Sequence, residues 1–236
     1  MDGCLNIIII VLAFLIGVAV FAYLNRVIVC LPGGETPAAK YFLHPFRGRT
    51  FSVRELMIDI LGGIFAVVSV AFYGVSLQAL LTFLVMGDLT VITFIDADTQ
   101  EIPPVFNYIL LGLGVISVWV MDGPGIVERL TGMVSISLPM LALAVLLNGF
   151  GGGDVKLMAA AGFLLGWKGN LAAFLIGIIT GGIYCIFMLA RRKKGRKDYF
   201  AFGPFLCIGI AVAFIRGCGA WMVQSYIDFI KGMMTF

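Results

Sequence analysis

Between Asp2 and Arg26 no side chain carries a charge, and a helix over such a stretch is long enough to cross the roughly 30 Å hydrocarbon layer of a bilayer. Several later windows are nearly as apolar. Hydrophobic residues make up 61% of the 236 and charged ones 12%, against roughly 45–50% and about 25% in soluble domains. One compact core could not hide that much apolar surface, so the chain reads as a multi-span membrane protein with a mean hydropathy of +1.08. The same numbers exclude disorder, collagen-like repeats and a disulfide-stapled secreted scaffold.

Breaking the sequence at charges, prolines and glycine clusters leaves eight apolar segments, 5–29, 56–73, 77–95, 105–121, 131–147, 155–167, 171–189 and 199–215. Most have the roughly 17–25 residues that a span requires. The expected fold class is therefore an all-α integral membrane protein, a polytopic bundle of about eight transmembrane helices. The sixth segment is an exception, because its 13 residues make a helix of only about 20 Å. It should begin below the membrane surface or sit in a thinned bilayer, and it starts at a glycine-rich loop. The chain, 1–236, is expected to form a single transmembrane domain, with 31–55 a short cytoplasmic loop and 216–236 an interfacial tail. In that tail Trp221, Tyr226, Asp228 and Lys231 punctuate apolar sequence. The N-terminus lacks the basic segment of a signal peptide, and the run behind it exceeds a signal h-region, so it is expected to stay in the mature protein.

Basic residues orient the bundle. With the loop after the first span in the cytoplasm, twelve lie at cytoplasmic ends, including Arg26, Arg54, Lys156 and the run from Arg191 to Lys197, and four, Arg129, Lys168, Arg216 and Lys231, lie on the other side. Both termini then face out. The basic run reads as a topology anchor against anionic lipid, not as a nucleic-acid site. Cys4, Cys30, Cys185, Cys207 and Cys218 contain no C-x-x-C pair and read as small apolar residues. His44, the one histidine, has neither an H-E-x-x-H nor a G-x-S-x-G around it and reads as a loop or interface residue.

Carboxylates inside a bilayer or at its edge are costly, so each is a functional candidate. Asp59, Asp88, Asp96 and Asp154 lie within or against predicted spans. The topology puts Asp96 at the cytoplasmic end of the third span and Asp154 at the cytoplasmic start of the sixth, at one membrane depth. Two carboxylates brought close share a proton, and one can then activate water while the other protonates an amide carbonyl. Gly151, Gly152 and Gly153 before Asp154 lack Cβ atoms, which lets a substrate backbone approach and the chain unwind before the helix starts. The structural alternative is that Asp154 only caps that helix. Lys156 should point to another face and reach the interface. Asp98 and Glu101 should face water in the turn ended by Pro103 and Pro104. Asp88, Ile92 and Asp96 share one helix face, and Asp88 could tune the pair or bond a group such as Thr93 or Asn148.

At these residues the sequence resembles a known family. Gly151-Gly152-Gly153-Asp154-Val155-Lys156 is similar to the G-x-G-D-x-K motif of type IV prepilin peptidases, intramembrane aspartic proteases of the GxGD group. Asp96 followed by Ile102-Pro103 resembles that family's first catalytic aspartate and its downstream Leu/Ile-Pro, and residues 22–32 resemble its G-S-F-L-N-x-x-I-x-R-L-P. The resemblance implies an eight-span inner-membrane enzyme that removes the basic leader of prepilins or pseudopilins at the cytoplasmic face. It assigns catalysis to Asp96 and Asp154, with Gly151, Gly152, Gly153, Lys156, Asp98 and Glu101 as loop or substrate-binding residues. Glu35, Asp98 or Glu101 would receive the leader's basic residues by charge complementarity. Bifunctional relatives that also methylate the new N-terminus from S-adenosylmethionine carry two C-x-x-C pairs in the first cytoplasmic loop. This loop has no cysteine, so no metal and no cofactor is expected. Pro104 stands where the family usually has Asp or Asn.

Two other classes remain in view from sequence: a proton-coupled transporter, since intramembrane acids and a broken helix also mark ion paths, and a non-catalytic scaffold for secretion or pilus assembly. The expected partners are a prepilin or pseudopilin substrate and membrane lipid, with no nucleic acid.

Overall fold

The computed structural model describes residues 2–30, 52–147, 151–190 and 201–234. Most of the 31–55 loop, with Glu35 and His44, lies outside the described residues, as do Asn148 and the basic run 191–197. Among the described residues there is no strand. The helices are α1 (Asp2–Cys30), α2 (Val53–Tyr73), α3 (Leu77–Thr99), α4 (Pro104–Val120), α5 (Ile126–Leu147), α6 (Gly152–Ala190), α7 (Gly203–Phe214) and α8 (Cys218–Met234), with a short 3-10 turn at Ile215–Gly217. Among the described residues six helical stretches are long and apolar enough to cross a membrane, and Pro104–Val120 is a shorter apolar helix. The chain is an all-α polytopic membrane protein.

Two compact units divide at residues 91 and 92, within α3. In the first, α1 packs on α2 through small residues. A Cβ on Gly17 would fall on the Gly62 carbonyl oxygen and 2.7 Å from the Ala66 Cβ. Gly62 in turn leaves room for Phe21, whose ring lies 6.1 Å from Phe65 and 5.7 Å from Phe83. Lipid offers helices little hydrophobic reason to associate, so close van der Waals contact of this kind holds them together. The start of α2 is capped by Ser52, which accepts from the Glu55 amide at 3.2 Å. Hydroxyls within the apolar helices satisfy themselves locally, as Ser69 does on the Phe65 carbonyl and Thr82 on the Gln78 carbonyl.

In the second unit α6 is two helices. Gly166, at φ 69° and ψ 173°, reverses the chain between arms 152–165 and 167–190. Asn170 consequently reaches back to donate to the Met158 carbonyl at 3.2 Å, and to the Gly132 carbonyl of α5 at 3.0 Å. The first arm has fourteen residues, about 21 Å at 1.5 Å each, and is the short sixth span expected from sequence. With the arms taken separately, the eight expected segments are recovered. Their boundaries move: the fifth helix begins at Ile126 and not 131, which places Arg129 inside it, and the third runs on to Thr99, which makes Asp98 helical.

Glycine contacts give the register. Gly132 and Gly162 meet backbone to backbone, each where the other's carbonyl would collide with a Cβ. Gly114 of α4 lies against Phe163 and Leu164, and along the second arm Gly181 meets Phe202, Gly177 meets Leu206 and Ala173 meets Gly209 of α7. In this unit the end of α3 and the starts of α4, the first arm and α7 therefore share one end. The end of α4, the start of α5, the Gly166 turn and the end of α7 share the other.

Candidate functional site

Asp96 and Asp154 both belong to the second unit and lie at its first end. Asp96 sits in the last turn but one of α3, is 4% exposed, and its Oδ2 accepts from the Gly203 amide at 3.0 Å. Gly203 opens α7, which has no side-chain cap of its own. A carboxylate is favoured at that helix N-terminus by the unpaired amides and the helix dipole. The turn leaving α3 is closed by the Gln100 amide on the Asp96 carbonyl at 2.8 Å and by the Thr99 hydroxyl on the Ile95 carbonyl at 2.8 Å. Gln100 takes φ 58° there, so the chain swings directly into Ile102 and the two prolines that start α4.

Asp154 is the third residue of its arm and 9% exposed. Its Oδ2 accepts from the Gly151 amide at 3.3 Å, the reach-back half of a capping box. Each carboxylate gives one oxygen to a backbone amide and leaves Oδ1 without a hydrogen bond among the described residues. Buried Ile102 lies against both Gly153, the neighbour of Asp154, and Gly203, whose amide holds Asp96: a Cβ on Gly153 would sit 3.0 Å from its Cβ, and one on Gly203 3.2 Å from its Cδ1.

The three glycines divide in use. Gly153 is required by the approach to Ile102, Gly151 stands over the Asp154 carboxylate, and a Cβ on Gly152 would meet nothing within 4 Å. The helix begins at Gly152, earlier than the sequence suggested, because Asp154 caps it from inside its first turn. Lys156, Asp98 and Glu101 are exposed and do not join the two acids. Asp59 and Asp88 are buried in the first unit, and Asp88 Oδ2 makes no hydrogen bond among the described residues. No group of three or more His, Cys, Asp or Glu side chains that could hold a metal occurs among the described residues.

Sequence reasoning passed over two residues here. Gly203 carries no motif and meets Asp96 across 107 positions. Arg129 was placed in a loop, yet it is buried at the opposite end of the unit. An arginine four residues into a helix with an apolar body was the available signal.

The fold and this site define a polytopic membrane protein with two buried acids at the termini of different helices. The chain matches the type IV leader peptidase family over residues 83–186, which include both acids and the glycines. It is similar to the prepilin leader peptidase/N-methyltransferase of Legionella pneumophila, 31% identical over 189 residues that cover 73% of this chain and 64% of the relative. The protein of the same description from Neisseria gonorrhoeae is 32% identical over 184 residues, 74% of this chain and 62% of the relative. That from Pseudomonas aeruginosa is 28% identical over 203 residues, 84% and 67%. The chain thus spans a little under two thirds of the first two. No solved structure matches it.

Proposed function

We propose that this protein is an intramembrane aspartic endopeptidase that cleaves the basic leader of type IV prepilins or pseudopilins at the cytoplasmic face of the inner membrane. The observation that carries the reading is that Asp96 and Asp154 stand at one end of the second unit, each buried, each held by one backbone amide and each with an uncommitted oxygen. Two acids so placed share one proton. The ionised one draws a proton from water as it attacks the scissile carbonyl, and the protonated one gives its proton to the carbonyl oxygen. The backbone bonds from Gly203 and Gly151 orient the carboxylates before substrate arrives, so less reorganisation is needed in the transition state. The open space over Gly152 suits an extended peptide, and Lys156 reaches the interface beside it. Coexpression with a candidate prepilin, followed by mass spectrometry of the mature N-terminus, tests the reading and reports cleavage, its position and any methylation together. A substrate left full-length would reject it.

Gly203 sets the position of one acid. In Gly203→Ala the new Cβ would lie 2.6 Å from Asp96 Oδ2, so the carboxylate must move off the amide. Displacements of about 1 Å cost on the order of a hundredfold in rate. The expected result is a fall in kcat of that size with KM nearly unchanged, measured on a purified prepilin in detergent.

Exposed Asp98, in the last turn of α3, and exposed Glu101, just beyond that helix, are close to Asp96 along the chain and are suited to the positive charges of a leader. Reversing both to lysine should raise KM about tenfold, a loss of about 1.4 kcal/mol, and leave kcat within twofold. An unchanged KM would remove them from substrate recognition.

A further inference from the structure

At the end of the second unit away from the two acids, a cavity of about 440 Å³ opens where α4 and the first arm of α6 end and α5 begins. Its lining includes Arg129, which is 1% exposed and has no carboxylate partner among the described residues. Its Nε donates to the Pro124 carbonyl at 3.0 Å, and its Nη1 to the Ser117 hydroxyl at 2.7 Å and the Phe163 and Leu164 carbonyls at 3.0 and 3.2 Å. Those carbonyls are the last of the short arm, so the guanidinium also sits favourably at the negative end of a helix dipole. Nη2 makes no hydrogen bond among the described residues and lies over Gly123, which lines the cavity.

A buried cation compensated only by neutral groups retains capacity for an anion, since a charge out of water is strongly unfavourable until paired. The rest of the lining says which anion. Lys168 lines the cavity together with Arg129, and Asp122 and Glu128 supply two carboxylates, so the four charges sum to zero and the wall fits a zwitterion better than a net anion. Lys168 is 3.8 Å from Glu128 and 5.5 Å from the centre of the Trp167 ring. Trp221 closes one side. Tryptophans at helix ends mark the headgroup level of a bilayer, and this cavity lies where the spanning helices end.

We propose that this cavity binds the headgroup of a phospholipid bearing a primary ammonium, a phosphoethanolamine zwitterion. Its phosphate lies on Arg129 Nη2 and Lys168, and its ammonium donates to Asp122 and Glu128. The proposal is independent of the peptidase reading, because it concerns the other end of the unit and is read by binding.

The test uses the full chain, delipidated in detergent and titrated separately with short-chain phosphatidylethanolamine, phosphatidylcholine and phosphatidylglycerol, and with soluble phosphoethanolamine and inorganic phosphate. Bound molecules are counted by native mass spectrometry, and the thermal midpoint is followed in parallel. Phosphatidylethanolamine should bind about tenfold tighter than the other two lipids, the size of one charge-assisted hydrogen bond, and should raise the midpoint. Because Arg129 also holds the helix ends, the variants are Lys168→Gln and Asp122→Asn. Each should weaken phosphatidylethanolamine about tenfold while the lipid-free midpoint stays that of the wild type. Equal binding of the three lipids, or undiminished binding in both variants, would overturn the proposal. Inorganic phosphate or soluble phosphoethanolamine binding as tightly as the lipid would overturn the lipid as source.

Discussion

Asp96→Asn and Asp154→Asn are each expected to abolish prepilin cleavage, lowering the rate by a hundredfold to ten-thousandfold, the usual worth of a general acid or base. Asparagine makes the experiment decisive because it preserves everything else these residues do. Its side-chain oxygen can still accept from the Gly203 amide, now bonded to Asp96 at 3.0 Å, or from the Gly151 amide, now bonded to Asp154 at 3.3 Å. Volume is unchanged, so the starts of α7 and of the short arm keep their caps. What disappears is the capacity to exchange a proton. Membrane insertion and the thermal midpoint should therefore match the wild type while the substrate remains uncut. Were the acids only helix caps, both variants would cleave at nearly the normal rate. The effects should also fail to add: once one member of a proton-sharing pair is gone, the other has little left to contribute.

The second large effect is structural. Gly166→Ala should destabilise the protein by roughly 3 kcal/mol or more, from backbone strain of about 1–3 kcal/mol and overpacking of similar size. At φ 69° and ψ 173° the backbone is one that only glycine adopts readily, and the added Cβ would lie 2.8 Å from the Pro124 Cβ. If the turn opens, Asn170 loses the Met158 and Gly132 carbonyls, and Arg129 loses the Phe163 and Leu164 carbonyls that sit just before the turn. Gly112→Ala and Gly125→Ala are the controls, since nothing lies within 4 Å of a Cβ at either. The thermal midpoint in detergent should fall sharply for Gly166→Ala and hold for the controls. A midpoint unchanged in all three would mean that the reversal tolerates a side chain.

Much of this architecture could be read along the chain. The eight apolar segments, the short sixth among them, follow from hydropathy summed over a window, and that sum does not depend on what the segment later touches. The standing of Asp96 and Asp154 at one end of their unit is legible from their places at the ends of apolar segments. Boundaries were less legible. Arg129 falls outside the apolar segment expected from 131, because hydropathy assigns a buried arginine its full transfer cost and cannot see the five acceptors that offset it. Asp98 was put in a turn for the same kind of reason, although α3 continues to Thr99 before Gln100 breaks it.

The amino-acid order alone determined that this chain lives in a bilayer, how many times its apolar segments can cross, and which acids stand at their ends. These are properties of single residues and their near neighbours, and the cost of leaving hydrocarbon imposes them on any fold the chain adopts. Only the tertiary structure decided that Gly203 would hold Asp96, that Gly132 and Gly162 would touch, and that Gly166 would turn two spans into a hairpin whose carbonyls receive Arg129. Each of these is a contact between positions remote in sequence, and a backbone amide or a missing Cβ has no partner until the helices have packed.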